Sequence, residues 1–169
     1  MWTDYNENLR TCNILDPQIY AAPEELFDYI PEHIPQKPIV KQLIKGGTLP
    51  TGKYQYFYEL YPNQGAKSTI SPVSNLITLY TGDNLDYSNE GNIPGTIAQK
   101  SVQVNVINLD TNYDTIRFGY IIYQIPDFPE AFWFDERPVP DDGNLTVVHN
   151  GNENDIPLDS IEIANLNRI

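Results

Sequence analysis

The side chains able to do chemistry in this chain are few and scattered. There are two histidines, His33 and His149, and one cysteine, Cys12. His33 stands in a proline-rich stretch and His149 beside a tight turn. Neither has a neighbouring cysteine, or a spacing that suggests a metal site or a nucleophilic triad, so both read as surface histidines. Cys12 alone cannot form an internal disulfide, and the fold must hold without one. Carboxylates occur as adjacent pairs, Asp135 with Glu136 and Asp141 with Asp142. On a strand, adjacent side chains point to opposite faces, so neither pair can flank one bond as acid and base. Asp83, Asp86 and Glu90 raise a calcium reading. Their spacing lacks the regular acidic ladder and closing glutamate of an EF-hand loop, and a solvated loop is expected. Gly46-Gly47 leads into a strand, so no helix dipole stands behind its amides to hold a phosphate. Asn144-Leu145-Thr146 matches a glycosylation sequon, which matters only in a secreted eukaryotic protein. The expectation is therefore no catalytic residue, no metal and no cofactor.

Composition narrows the class. The 169 residues carry 10 Lys and Arg against 23 Asp and Glu, a net charge of −13. Such a surface repels nucleic acid, which argues against that partner. No run approaches the roughly 18 apolar residues of a membrane span, and no positive-then-apolar segment opens the chain. The 12 tyrosines and 14 prolines suit strands and turns rather than a helix bundle.

The elements that must position these residues read as short strands. Lys45 to Tyr80 holds the strongest signal: Tyr54, Tyr56, Tyr58 and Leu60 alternate with Gln55, Phe57, Glu59 and Tyr61. Period-two alternation in aromatic residues predicts a strand. A return strand is expected from about Val73 to Tyr80, with Pro72 at its start or on an edge. Before this hairpin, Met1 to Leu15 reads as two short strands. Asp16 to Pro38 is broken by Pro17, Pro23, Pro31, Pro35 and Pro38, with room for one short helix from Pro23 to Phe27. Ile39 to Ile44 predicts a strand. The chain thus divides into an N-terminal hairpin and proline-rich linker, 1–38, and a sandwich domain, 39–169. Further strands are expected over Ser101–Leu109, Ile116–Ile125 and Leu145–His149. Ile116–Ile125 is apolar on both faces and reads as central. Gly119 within it marks a bulge or a close backbone approach. Asn150-Gly151 is a two-residue hairpin signal. Asp155 to Leu166 reads as a strand or a single helical turn. The abrupt ends at Met1 and Ile169 read as those of a fragment.

Between Pro126 and Pro140 lies a knot of aromatics: Phe128, Phe132, Trp133 and Phe134. Residues of this kind carry most contact area both in cores and at interfaces. They are the candidate protein-interaction residues of the chain.

The stretch from Gly46 to Leu79 resembles a repeated pattern of virion structural proteins from crAss-like podophages. Gly46-Gly47 is followed by Gly52-x-Tyr54-x-Tyr56-x-Tyr58, then Gly65, then Ser68-x-x-Ser71-Pro72. Trp2-Thr3-Asp4 with Arg10 and Asn13-Ile14, the unit from Val102 to Gln124, and Asn150-Gly151 with Ile156-Pro157-Leu158 are similar to flanking segments of those tail and neck proteins, often called stabilisation or muzzle proteins. The resemblance implies an all-β, immunoglobulin- or fibronectin-III-like β-sandwich, and the regular short strands between turn signals predict roughly seven strands. It implies a non-enzymatic assembly module of a bacteriophage tail or neck, located in the virion and oligomeric only within an assembly. Its partners would be other virion subunits, with no nucleic acid and no membrane. The other reading is a fibronectin-like accessory or carbohydrate-binding module of a secreted or cell-surface bacterial protein. The row Tyr54, Tyr56, Tyr58 would have to line a groove for that role, whereas its pattern reads as core or sheet face. The core is expected to include Tyr56, Leu60, Ile77, Val104, Val106, Phe118, Tyr120 and Ile122.

Overall fold

A computed structural model describes residues 35–63, 67–82, 93, 95–125, 128–159, 162–163 and 166. The first hairpin, the helix at Pro23, Cys12, His33 and the acids Asp83, Asp86 and Glu90 fall outside the described residues. Eight strands follow in order: β1 (Ile39–Lys45), β2 (Gly52–Tyr61), β3 (Ile77–Leu79), β4 (Lys100–Val106), β5 (Thr115–Ile125), β6 (Phe128–Pro138), β7 (Leu145–His149) and β8 (Ile156–Pro157). They form two antiparallel sheets, one ordered β1-β4-β7 and the other β3-β2-β5-β6-β8. The fold is an all-β sandwich.

Alternation in β2 decides how the sheets meet. Tyr54, Tyr56, Tyr58 and Leu60 face the three-stranded sheet and join one core with Val102, Val104, Val106 and Val147. All eight residues expected in the core lie in this cluster. The opposite face of the five-stranded sheet carries a second cluster, built on Phe57, Ile121 and Trp133 and covered by Ile70 and Leu158. β5 lies between β2 and β6 and is apolar on both faces, as its sequence predicts. Gly119 serves both purposes expected of it. The register shifts between Phe118 and Gly119, and a Cβ at Gly119 would overlap the Phe57 ring.

Eight strands among the described residues agree with the roughly seven expected. The structure corrects three expectations. The aromatics placed between Pro126 and Pro140 lie on the eleven-residue strand β6 (Phe128–Pro138) rather than in a knot, because Pro129 and Pro138 sit at its ends, where a missing N–H breaks little of the ladder. Asn150-Gly151 does not close a two-residue hairpin. The Asn150 carbonyl accepts from Thr48 N at 2.7 Å, and the turn passes the chain from β7 in one sheet to β8 in the other.

The third correction concerns the return strand. Regular pairing with β2 is limited to Ile77–Leu79. Before it, three serines spaced three apart run along the β2 edge. Ser68 N, Ser71 N and Ser74 N donate to the carbonyls of Leu60, Tyr58 and Tyr56 at 2.8–2.9 Å. In return the amides of Leu60, Tyr58 and Tyr56 donate to the hydroxyls of Ser68, Ser71 and Ser74 at 2.9–3.0 Å. Three residues of this ladder span the length of two strand residues, about 6.8 Å, so the chain is wound more tightly than a strand. The winding turns Ile70 and Val73 onto the outer face of the sheet.

Candidate functional site

The titratable groups gather on the two faces of the five-stranded sheet. Leu145, Val147 and His149 alternate along β7 and point inward, so His149 is fully buried and not the surface histidine expected. Its ring lies 4.3 Å from Phe134 and 4.5 Å from Tyr120, centroid to centroid. Nδ1 is 3.1 Å from the Tyr56 hydroxyl. With Tyr56 donating, the proton of the neutral ring sits on Nε2, which makes no hydrogen bond and lies 3.8 Å from the Glu153 carboxylate. Glu153 itself accepts from the amides of Asn150 and Gly151.

The neighbouring phenols are also satisfied. Tyr120 donates to Asp155 at 2.8 Å, and Tyr54 to the Pro50 carbonyl at 2.7 Å. Burial lowers the pKa of His149 to about 3, so the ring is neutral at pH 7 and a poor base there. Burial raises the pKa of Tyr54, Tyr56 and Tyr120, and these hydroxyls stay protonated. Burial also raises that of Asp155. This arrangement fixes the end of the sandwich where β7 hands over to β8. The neutral ring and the protonated phenols offer no ionised nucleophile, and Asp155 is held by the Tyr120 hydroxyl.

On the outer face the charges are paired. Glu59, buried in β2, accepts from Tyr61 at 2.6 Å and meets Lys67 at 3.0 Å. Arg117 lies 4.8 Å from the centre of the Trp133 ring and 3.9 Å from both Glu136 and Glu162. Trp133 Nε1 donates to Glu162 at 3.0 Å. Asp159 and Glu162 bond each other's backbone amides at 2.8 Å, the reciprocal pattern that opens a helical turn. Residues 162–163 are helical, so the 155–166 stretch holds both forms read from its sequence, β8 first and helix after it.

Asp135 and Glu136 separate as expected, Asp135 bonding Arg137 and Glu136 facing Arg117, whereas Asp141 and Asp142 lie in a turn rather than on a strand. Asp142 accepts from the amide of Asn144 in its turn. Among the described residues, no group of three or more His, Cys, Asp or Glu could hold a metal ion. Nor is any described helix long and apolar enough to cross a membrane. The row Tyr54, Tyr56, Tyr58 is buried and lines no groove. Of the four candidate interaction residues, Phe128 opens β6 and Phe132 is half-buried beside the inner core. Trp133 and Phe134 are buried on opposite faces of the sheet.

Two features escaped the sequence reading although their signals were present. The inward alternation of Leu145, Val147 and His149 marks a buried histidine. The serine period of three appeared as a motif without its meaning, since strand periodicity has no place for it.

The sandwich and its internally paired charges define a structural β-protein, held together by two packed faces of one sheet. The chain belongs to the crassvirus muzzle protein family, whose family model matches residues 1–169. It is a virion component of a crAss-like phage. No curated protein matches it.

Proposed function

We propose that the chain is a non-enzymatic assembly module of the phage tail or neck that docks onto other virion subunits. The observation that carries this reading is the family match along the whole chain. The burial of His149 and the tyrosines and the pairing of Glu59 and Arg117 support it, because these groups stabilise the fold.

Docking, in this proposal, uses the proline-rich segment within residues 1–38 and the β6 aromatics, with 39–169 as the rigid domain. Proline-rich chain loses little entropy on ordering. Phe132 lends its remaining exposed surface and Phe128 lies at the strand's start, while Trp133 and Phe134 hold the strand from within. The charge of −13 favours a partner with a basic surface and disfavours nucleic acid. The order β2-β5-β6 matches the C-F-G order of immunoglobulin-like sandwiches and β1-β4 their B-E pair, which supports that finer likeness. β7 takes the place of strand D but comes later in the chain, a departure from that pattern.

The test is co-purification of tagged full-length chain with the remaining virion proteins. Phe128→Ala with Phe132→Ala should keep the cooperative melt and reduce recovery of partners. Unchanged recovery defeats the β6 docking role. Turnover of a peptide or polysaccharide by the pure chain defeats the non-enzymatic reading.

A further inference from the structure

We infer that Ser68, Ser71 and Ser74 form an edge guard that keeps a second copy of this chain from pairing with β2. An exposed strand edge presents a row of unpaired amides and carbonyls, a template for another strand. β2 presents such an edge along Tyr56 to Leu60, beyond its pairing with β3. It has ten residues, no proline, and a run from Tyr54 to Leu60 whose one ionisable carboxylate is buried. Two other edges carry recognised deterrents. β1 has an irregularity between Val40 and Gln42, with Lys41 and Lys45 exposed. The far half of β6 has Asp135, Glu136 and Arg137 before Pro138. β2 has none of these between Tyr54 and Leu60 and has the ladder instead.

The number of bonds decides between a guard and an invitation. Along Tyr56, Tyr58 and Leu60, an added strand would bond three amides and three carbonyls. The ladder already bonds all six. A second copy gains no hydrogen bond by displacing it. Serine suits the task because it is small and its hydroxyl can accept and donate at once. Each hydroxyl donates to the carbonyl of the next residue, Thr69, Pro72 or Asn75, at 2.8, 3.3 and 3.0 Å, which turns a lone pair toward the β2 amide. The step of three continues from Ser74 opposite Tyr56 to Ile77 opposite Tyr54, so the ladder runs without a break into β3.

The experiment compares full-length wild type with Ser71→Ala and with the triple variant Ser68→Ala, Ser71→Ala, Ser74→Ala. Light scattering gives mass and amide hydrogen exchange gives protection. Ser71→Ala should speed exchange at the Tyr58 amide about tenfold and leave Gln55 and Phe57 unchanged. The triple variant should gain mass with concentration beyond wild type, and protection at Tyr58 should return in the heavier species as a new strand takes the edge. Thr69→Ala, in the same segment but outside the ladder, should change neither reading. Wild-type mass in a triple variant whose Tyr58 amide is open overturns the inference. So does a heavier species in which protection is lost across β2 and β5 together, since that is aggregation of unfolded chain. Should the triple variant fail to fold, Ser71→Ala decides by the same two readings: its Tyr58 amide must open and its mass must exceed wild type at high concentration.

Discussion

The two faces of the five-stranded sheet are closed by different means. The inner face meets another sheet, and its cover is regular: Leu43, Val102, Val104, Val106 and Val147 project from strands onto the tyrosines of β2. The outer face meets no sheet among the described residues. Its cover is the serine ladder, through Ile70 and Val73, and the chain after β8, through Leu158 and Leu166. Polar groups differ in the same way. The inner face holds a neutral histidine among tyrosines, while the outer face holds charged pairs at its margins. A sheet face needs apolar cover and satisfied edges, and strands are only one source of both.

Substitutions on the two faces should separate these modes of closure. The largest effect is expected on the inner face. Phe118→Ala should lower stability by about 3–5 kcal/mol in denaturant melts, because its surroundings come from two sheets that cannot collapse into the space. A loss below about 1 kcal/mol would mean that the inner face tolerates a void as a loose cover does. On the outer face, Gly119→Ala should cost about 1–3 kcal/mol by pushing on the Phe57 ring. Pairing it with Phe57→Leu should recover part of that loss, which identifies the ring as the cause.

Acid should act on the inner face. The pKa of His149 is about 3 in the folded chain and near 6.5 when unfolded. A base with a lowered folded pKa binds its proton in the unfolded chain first, so stability falls as pH drops below about 6.5 and continues to fall toward 3. At pH 5 the loss from this residue is about 2 kcal/mol. Asp155, with its raised pKa, works in the opposite direction. Subtracting the pH profile of His149→Phe isolates the histidine, and the difference should slope only below pH 6.5.

The smallest effect is expected from Glu162→Ala. It removes the partner of Trp133 Nε1 and the bond that the Asp159 amide donates to the Glu162 carboxylate, and leaves the bond from the Glu162 amide to Asp159. The cost should be about 1 kcal/mol, with faster exchange confined to the 158–163 region. Loss spread over the inner sheet would show that the two faces are not closed independently.

The legible part of the fold was the inner face. Alternation in Tyr54–Leu60, Val102–Val106 and Ile116–Ile122 follows from one side of a strand meeting apolar cover, and it named the core residues. Phe57, Ile121 and Trp133 were equally visible as apolar, but what covers them is chain without period-two alternation. A strand was expected from Val73 because Val73, Ile77 and Leu79 are β-formers, while the bonds that matter run through the serines. Trp133 and Phe134 read as interaction residues in a knot between prolines, yet Pro129 and Pro138 stand at strand ends and leave the centre of the ladder intact. His149 read as exposed on its neighbouring turn rather than on the strand that carries it inward. Histidine sits in such a place only when its neighbours accept it neutral, and those neighbours, Tyr56, Tyr120 and Phe134, come from three other strands.

The central claim is that chain with no strand pairing of its own, residues 68–74, completes the sheet as a strand would. Amide exchange along β2 in the wild-type chain tests it most directly. Gln55, Phe57 and Glu59 face β5, and Tyr56, Tyr58 and Leu60 face the serines. The two alternating sets should exchange within about tenfold of each other, since both are bonded and buried. Exchange at Tyr56, Tyr58 and Leu60 about a thousandfold faster than at their neighbours, as from an open edge, would contradict the claim.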